Sequence, residues 1–342
     1  MSCKKLNIGT RSLHVKIIDT HAHIFIPEAY DEVPSEYLND VPKIIKNEKD
    51  RGVIKIGEKI KGVVPSSLYF IDDRLLQMEE ENIDMQLLSI YPYLFFYQLK
   101  GVEGALFSRM FNDALSELVK NYNKNFLGLG TVPLQDVDKS IEEMERVKKI
   151  GLAGVEIGSN VNGSFLGEAK FMPFFEAAEK LGVLLFVHPS NPVGFEKMKD
   201  SGLDLYVGNI CDTSATIASM IFNGIFDRFP KLKIYFAHGG GFVPYQIGRL
   251  MNAYLTNEDI RRQMQNPPPF YFTRFLVDTV VYDFNALNFL LKQVPIENIL
   301  LGSDSPVYMS DKGIVSKIKK LKISQEKKEM ILEKNIEKLL YR

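Results

Sequence analysis

Eight short apolar runs recur along the 342-residue chain, and stretches with helical periodicity separate most of them. The runs cover residues 15–19, 85–91, 126–132, 152–158, 183–188, 233–238, 275–281 and 298–304. Several are apolar at nearly every position rather than at every second one. That is the pattern of parallel strands covered on both faces. Between them, residues 72–82, 105–122, 138–150, 170–182, 214–230 and 285–294 read as amphipathic helices, with Gly182 and Pro230 closing two of them. Eight strands alternating with helices predict an α/β chain closed as a (β/α)8 TIM barrel, one domain over residues 1–342. An open doubly wound sheet is the alternative, but no GxGxxG follows the first strand.

The rhythm breaks once. Residues 27–71 are too many for an ordinary strand-to-helix loop. They hold Pro27, Pro34, Pro42 and Pro65 and a β-like piece at 51–64 with glycine turns. A small hairpin-bearing insertion is expected there, forming a lid at the barrel mouth. At the other end, residues 327–342 read as a helix that closes the barrel.

Composition narrows the function. With 42 basic and 43 acidic residues the net charge is -1, so no basic field points to nucleic acid. The lysine-rich stretch near the C-terminus is interleaved with acids and reads as a solvated helix face. Two cysteines, Cys3 and Cys211, make no disulfide framework, so a reducing compartment is expected. The first residues lack a signal-peptide core, and no apolar run reaches the ~18 residues of a membrane span. A cytoplasmic enzyme with no membrane partner is expected.

The ends of the strands carry the chemistry. His21 and His23 sit in IIDTHAHIF, His188 ends LLFVH, His238 ends IYFAH and Asp304 ends NILLGSD. On a strand, residues two apart share a face, so His21 and His23 aim at one point. The HxH pair alone is weak evidence, but side chains at the C-terminal ends of barrel strands converge. Three imidazole nitrogens and one carboxylate suit zinc, with manganese and iron as alternatives. His238 could also be a ligand; with that set already filled, it is read as the acid/base group. Gly239, Gly240 and Gly241 serve a plain turn as well as close approach to a bound molecule. The aromatic segment 91–98 (YPYLFFYQ) can line an apolar cavity, although core packing accounts for most of it.

These motifs (IDTHAHIF, FVHPSN, FAHGGGFVPYQIGRL, LLGSDSP) resemble the metal motifs of the amidohydrolase superfamily. More narrowly, the chain resembles the branch of amino-carboxymuconate semialdehyde decarboxylases, from about residue 15 to the end. The resemblance implies one divalent metal, usually zinc, on His21, His23, His188 and Asp304, with His238 as the catalytic histidine and Asp304 as a possible proton relay. The fourth strand ends without the lysine of the binuclear members, which favours a single ion. Arg249 matches an arginine that, in the family, reaches the neighbouring subunit's site and holds a substrate carboxylate. That makes a homodimer the working unit; a plain surface arginine is the alternative. Lys46 and Arg51 best match the family's insertion cations, with Lys55 as a rival. Ser190 and Asn191 follow His188 where the family has an aromatic residue. The implied activity is non-oxidative decarboxylation of a small unsaturated or aromatic carboxylic acid. The rival is hydrolysis or hydration of a small amide, lactone or unsaturated acid by the same metal site.

Overall fold

The computed structural model describes residues 15–31, 33–37, 39, 41–47, 51–198 and 202–341. Its strands are β1 (Ile18–Ile24), β2 (Pro42–Asn47), β3 (Arg51–Ile56), β4 (Lys59–Pro65), β5 (Met85–Ile90), β6 (Phe126–Thr131) and β7 (Gly154–Gly158). They continue as β8 (Asn160–Val161), β9 (Ser164–Phe165), β10 (Leu184–His188), β11 (Lys233–Phe236), β12 (Leu276–Asp278) and β13 (Ile299–Leu300). The longer helices are α1 (Ile71–Glu81), α2 (Gly101–Asn121), α3 (Val137–Lys149), α4 (Met172–Leu181) and α5 (Asn209–Phe222). After them come α6 (Ile225–Arg228), α7 (Val243–Thr256), α8 (Glu258–Arg262), α9 (Phe284–Gln293), α10 (Ile314–Lys320), α11 (Gln325–Glu329) and α12 (Asn335–Tyr341).

Eight strands form one parallel sheet in the order β1-β5-β6-β7-β10-β11-β12-β13. The last strand returns to the first: Thr20 N–H donates to Leu301 O at 2.8 Å and His23 N–H to Ser305 O at 2.7 Å. The barrel expected from the sequence is therefore present.

A buried polar cluster fastens this seam. Asp19 accepts from Ser303 N–H (3.0 Å), Ser303 Oγ (2.6 Å) and Gln86 Nε2 (3.0 Å). Burial pushes its carboxyl up to about 6. Arg74 on α1, also buried, donates to Gln86 Oε1 at 2.9 Å and to the carbonyl of His23. Burial brings its guanidinium down to about 9.

Inside the barrel, Ile18, Leu87, Leu129, Leu184, Phe186, Tyr235 and Leu300 pack together. The rings of Phe186 and Tyr235 stack at 4.3 Å, a contact worth ~0.5–1.5 kcal/mol beyond area burial. Ile336 of α12 joins this cluster, so the last helix closes the barrel as expected. The larger apolar cluster lies between the strands and the surrounding helices.

The insertion is a three-stranded antiparallel sheet in the order β2-β3-β4. Residues 51–64 form the expected hairpin; β2 is an additional strand, hidden in the sequence by its proline and lysines. The barrel strands are also shorter than their apolar runs. β11 stops at Phe236 and β13 at Leu300, so His238 and Asp304 sit in turns beyond the strands. Both have left-handed backbone, with φ of 57° and 60°. Non-glycine residues rarely adopt that conformation, and such strain concentrates at functional sites. No described helix is long and apolar enough to cross a membrane.

Candidate metal centre

The pleat of β1 turns both of its histidines inward, as their spacing requires. His21 Nε2 and His23 Nε2 stand 3.1 Å apart, and each lies 3.3 Å from Asp304 Oδ1. His238 Nε2 is 3.6 Å from Asp304 Oδ2. The rings of His21 and His188 have centroids 5.0 Å apart, those of His23 and His188 4.8 Å. Donors held ~2.0–2.2 Å from one ion stand about 3.0–3.6 Å apart in tetrahedral to octahedral geometry, so the measured separations are those of a ligand shell. His21, His188, His238 and Asp304 can all bring a ligand atom within 4.8 Å of one another. The Nε2 of His188 is buried with no hydrogen-bond partner, although its Nδ1 contacts Pro189 O at 2.8 Å. A lone pair aimed at an ion is the economical reason for such an orphan. The donor set thus fits one divalent cation.

The outer contacts orient these rings. His21 Nδ1 donates to Asp278 Oδ2 at 2.6 Å, and His23 Nδ1 to Ile90 O at 3.1 Å. Both leave Nε2 free for the centre, the usual arrangement around a metal-bound histidine. Asp278 also accepts from the backbone of His238 (3.0 Å), Gly239 (2.8 Å) and Val280 (3.0 Å). One carboxylate therefore aligns His21 and pins the turn that carries His238. The sequence reading misses Asp278, yet it sits inside the run FLVDTVV, within reach of the criterion that finds Asp304. It misses Glu156 as well. That residue is buried in β7 with Oε1 3.8 Å from His23 Nδ1, and burial holds its carboxyl well above the usual range.

Electrostatics separate the histidines. Burial lowers His21, but Asp304 and Asp278 outweigh it and raise its pKa to about 10. Burial lowers His23 and drives His188 well below its ordinary value, with neighbouring imidazoles adding to the effect on His188. Burial opposes ionisation of Asp304, but the surrounding histidines, chiefly His21, hold its carboxyl well below the carboxylate range. Without an ion, Asp304 is held anionic beside a protonated His21 while His23 and His188 are held neutral, and a bound cation would take the place of the His21 Nε2 proton.

Above the centre lies a cavity of about 590 Å³ reaching His23, His188, His238 and Asp304. Tyr91, Tyr93, Tyr206, Tyr282 and Tyr308 give it aromatic walls, and Ser190, Asn191 and Asn209 add polar groups. The segment 91–98 divides as expected. Tyr91 and Tyr93 face the cavity, while Leu94, Phe95, Phe96 and Tyr97 are buried in the core. Gly239, Gly240 and Gly241 all have positive φ, and a Cβ on Gly241 would lie 2.3 Å from Ser214 Oγ. The triplet is a turn that only glycine can make.

Of the expected substrate cations, none is among the described residues that line the cavity. Arg51 is exposed on β3 and is not among the residues lining the cavity; the insertion reaches it through Gly62, Val63 and Val64 of β4. The rival Lys55 does not line it either, and stands 3.7 Å from Glu58. The backbone of Lys46 pairs with Gly52 in β2, but its side chain lies outside the described residues. Arg249 is exposed on α7, away from the cavity of its own chain. Among the described lining residues there is no lysine or arginine.

Comparison with known proteins agrees with this geometry. The family model for amidohydrolases matches residues 18–342. The 2-amino-3-carboxymuconate-6-semialdehyde decarboxylase of Dictyostelium discoideum is 34% identical over 293 residues, covering 84% of this chain and 81% of that protein. The crystal structure of 5-carboxyvanillate decarboxylase from Sphingomonas paucimobilis superposes with a TM-score of 0.80 at 25% identity, covering 95% and 99% of the two chains. A dihydroxybenzoic acid decarboxylase from Polaromonas sp. JS666, crystallised with manganese and 2-nitroresorcinol, shares the fold with a TM-score of 0.76 at 21% identity, covering 95% and 96%. The chain belongs to the amidohydrolase family, among its decarboxylases.

Proposed function

We propose that this enzyme removes CO2 from a small planar carboxylic acid, unsaturated or aromatic, using one divalent ion held by His21, His23, His188 and Asp304. The observation that carries the reading is the buried shell of three imidazoles and a carboxylate, with His188 Nε2 unpartnered, at the floor of a tyrosine-walled cavity. Three nitrogens and one oxygen favour zinc; the manganese of the Polaromonas neighbour is the rival loading. The bound ion supplies a Lewis acid that anchors and polarises a substrate oxygen.

His238 is the acid/base residue. Its turn is fixed by Asp278, and its Nε2 faces Asp304 at 3.6 Å. It delivers a proton to the carbon that bears the leaving carboxylate. The bond to that carboxylate then breaks, CO2 departs, and the electron pair it leaves restores the double bond or ring. Asp304 stands where it can relay the proton. The tyrosine walls hold the planar substrate and keep bulk water from the reacting carbon.

A second copy of the chain completes the site. No cation lines the cavity among the described residues, while Arg249 lies on α7, whose exposed residues include Tyr245 (72% exposed), with Phe242 (43% exposed) just before the helix. An isologous dimer through this helix would bring Arg249 to the partner's cavity, where its planar fork suits a substrate carboxylate. The half-buried, unpaired Cys211 fits a reducing, cytoplasmic setting.

The test couples metal content to CO2 release. The purified protein is assayed for bound zinc and manganese, then screened with amino-carboxymuconate semialdehyde, 2,6-dihydroxybenzoate and 5-carboxyvanillate. One ion per chain and CO2 release abolished in His238→Ala are expected. A full metal site that releases no CO2 from any acid but opens a lactone or amide would overturn the reading.

A further inference from the structure

The insertion carries a net positive charge. Residues 42–65 hold seven lysines and arginines against three acids, a net +4 in a protein of net -1. Everything outside this segment therefore sums to -5. None of the described cations of the insertion touches the cavity. Lys43, Arg51 and Lys59 are exposed, and Lys55 is half-buried beside Glu58. Yet the same sheet forms part of the cavity wall through Gly62, Val63 and Val64, and Val63 is 55% exposed at that edge.

The arrangement is not one that sheet stability selects. Lys43 lies directly opposite Lys55 in the β2–β3 register. Like charges facing each other across antiparallel strands are destabilising. The cavity itself is the reverse: its described ionisable residues include Asp204 and Asp304 but no lysine or arginine, and Asp204 has no ion-pair partner among the described residues. A carboxylate ligand approaching the cavity would meet Asp204 and Asp304 in its lining and net positive charge on the neighbouring insertion.

We propose that the insertion sheet is an electrostatic guide, drawing anionic substrate to the cavity mouth from a distance rather than binding it. This rests on the carboxylic-acid reading above. Clustered charge beside a low-dielectric cleft raises the local concentration of counter-charged ligand and its rate of entry. The field reaches ~10 Å at 0.1 M salt and collapses to ~3 Å at 1 M. It acts before the substrate reaches the metal, so it changes kcat/KM and leaves kcat alone.

The test is the surface variant K43E/K59E in the intact protein, with K43Q/K59Q as the milder counterpart. Two readouts are compared in low salt and in about 1 M salt. One is kcat/KM for the acid that releases CO2. The other is Kd for 2,6-dihydroxybenzoate, with resorcinol as the neutral control. At low salt the reversal is expected to lower kcat/KM and weaken 2,6-dihydroxybenzoate about fivefold, and the glutamine variant about twofold. kcat and resorcinol binding stay unchanged, and the difference from wild type vanishes at high salt. Equal kcat/KM at low salt, a deficit that persists at high salt, or a fall in kcat would overturn the guide. If no acid is turned over, the decarboxylase reading fails on its own, and the salt dependence of 2,6-dihydroxybenzoate binding still decides whether the sheet guides anions.

Discussion

Asp278→Asn is the sharpest perturbation of the metal centre, because it keeps size and shape and changes one atom. All four hydrogen bonds to the Asp278 carboxylate come from donors. Oδ1 accepts from the backbone of Gly239 and Val280, and Oδ2 from His21 Nδ1 and the backbone of His238. An asparagine offers one acceptor oxygen and one donor NH2. If the oxygen faces Gly239 and Val280, the NH2 meets the His238 N–H, and His21 must move its proton to Nε2 to accept from it. That removes the lone pair a metal needs. If the oxygen faces His21 and His238, the NH2 meets two backbone N–H groups, each left unsatisfied at ~1–3 kcal/mol. Neither orientation is free of conflict. Loss of a carboxylate behind a metal-bound histidine typically costs 10–100-fold in metal affinity, about 1.4–2.7 kcal/mol. The expected result is therefore a Kd for zinc weaker by about thirtyfold in chelator competition, with CO2 release partly restored by excess metal. An affinity unchanged within a factor of two or so, against that expected loss, would refute the reasoning, because His21 would then not depend on Asp278 for its tautomer.

Other consequences follow from the same geometry. His238→Asn should lower turnover by ~10²–10⁴ while bound metal stays at wild-type level; parallel loss of metal would make His238 a ligand instead. In the metal-free protein the neighbouring carboxylates raise the pKa of His21 from the ordinary 6.5 to about 10. A raised folded-state pKa gives stability that is complete below the unfolded value and lost as pH climbs through the folded one. Thermal unfolding of the metal-free protein should thus occur at lower temperature as pH rises from about 7 towards 10, and a flat profile would argue against the protonated His21. Mixing inactive His238→Asn with inactive Arg249→Ala should recover about a quarter of wild-type activity, since half the dimers are mixed and one site in each is intact. No recovery after confirmed subunit exchange would leave Arg249 as a surface residue. Gly241→Ala places a Cβ 2.3 Å from Ser214 Oγ and 2.7 Å from Ile210 O at a positive φ. It should destabilise the fold by roughly 2 kcal/mol or more, read as a lower denaturant midpoint.

How much of the centre is legible in the sequence depends on what fixes each side chain's direction. A strand's pleat fixes it rigidly, so two histidines separated by one residue must point to the same face, and His21 and His23 stand 3.1 Å apart. The same logic finds His188, Asp304 and His238, although the last two owe their position to left-handed turns beyond their strands. Asp278 obeys the rule too. It escapes notice because its apolar run continues past it, so the sequence does not mark the point where the strand ends. The Asp19 seam is out of reach for another reason. Its partners lie 67 and 284 residues away, and only closure of the barrel brings them together. The insertion is the least legible. Its strands can be partly read, but nothing in the sequence tells which edge of a small sheet will meet the barrel. The structure turns β4 to the cavity and leaves Arg51 outside. That reversal changes the kind of role its cations can have. A guanidinium in contact with substrate would act through geometry and resist salt, whereas a lysine-rich sheet at the rim acts through its summed charge and yields to it. For this segment net charge is the legible property, because a sum over the sheet does not depend on which individual side chain faces the cavity.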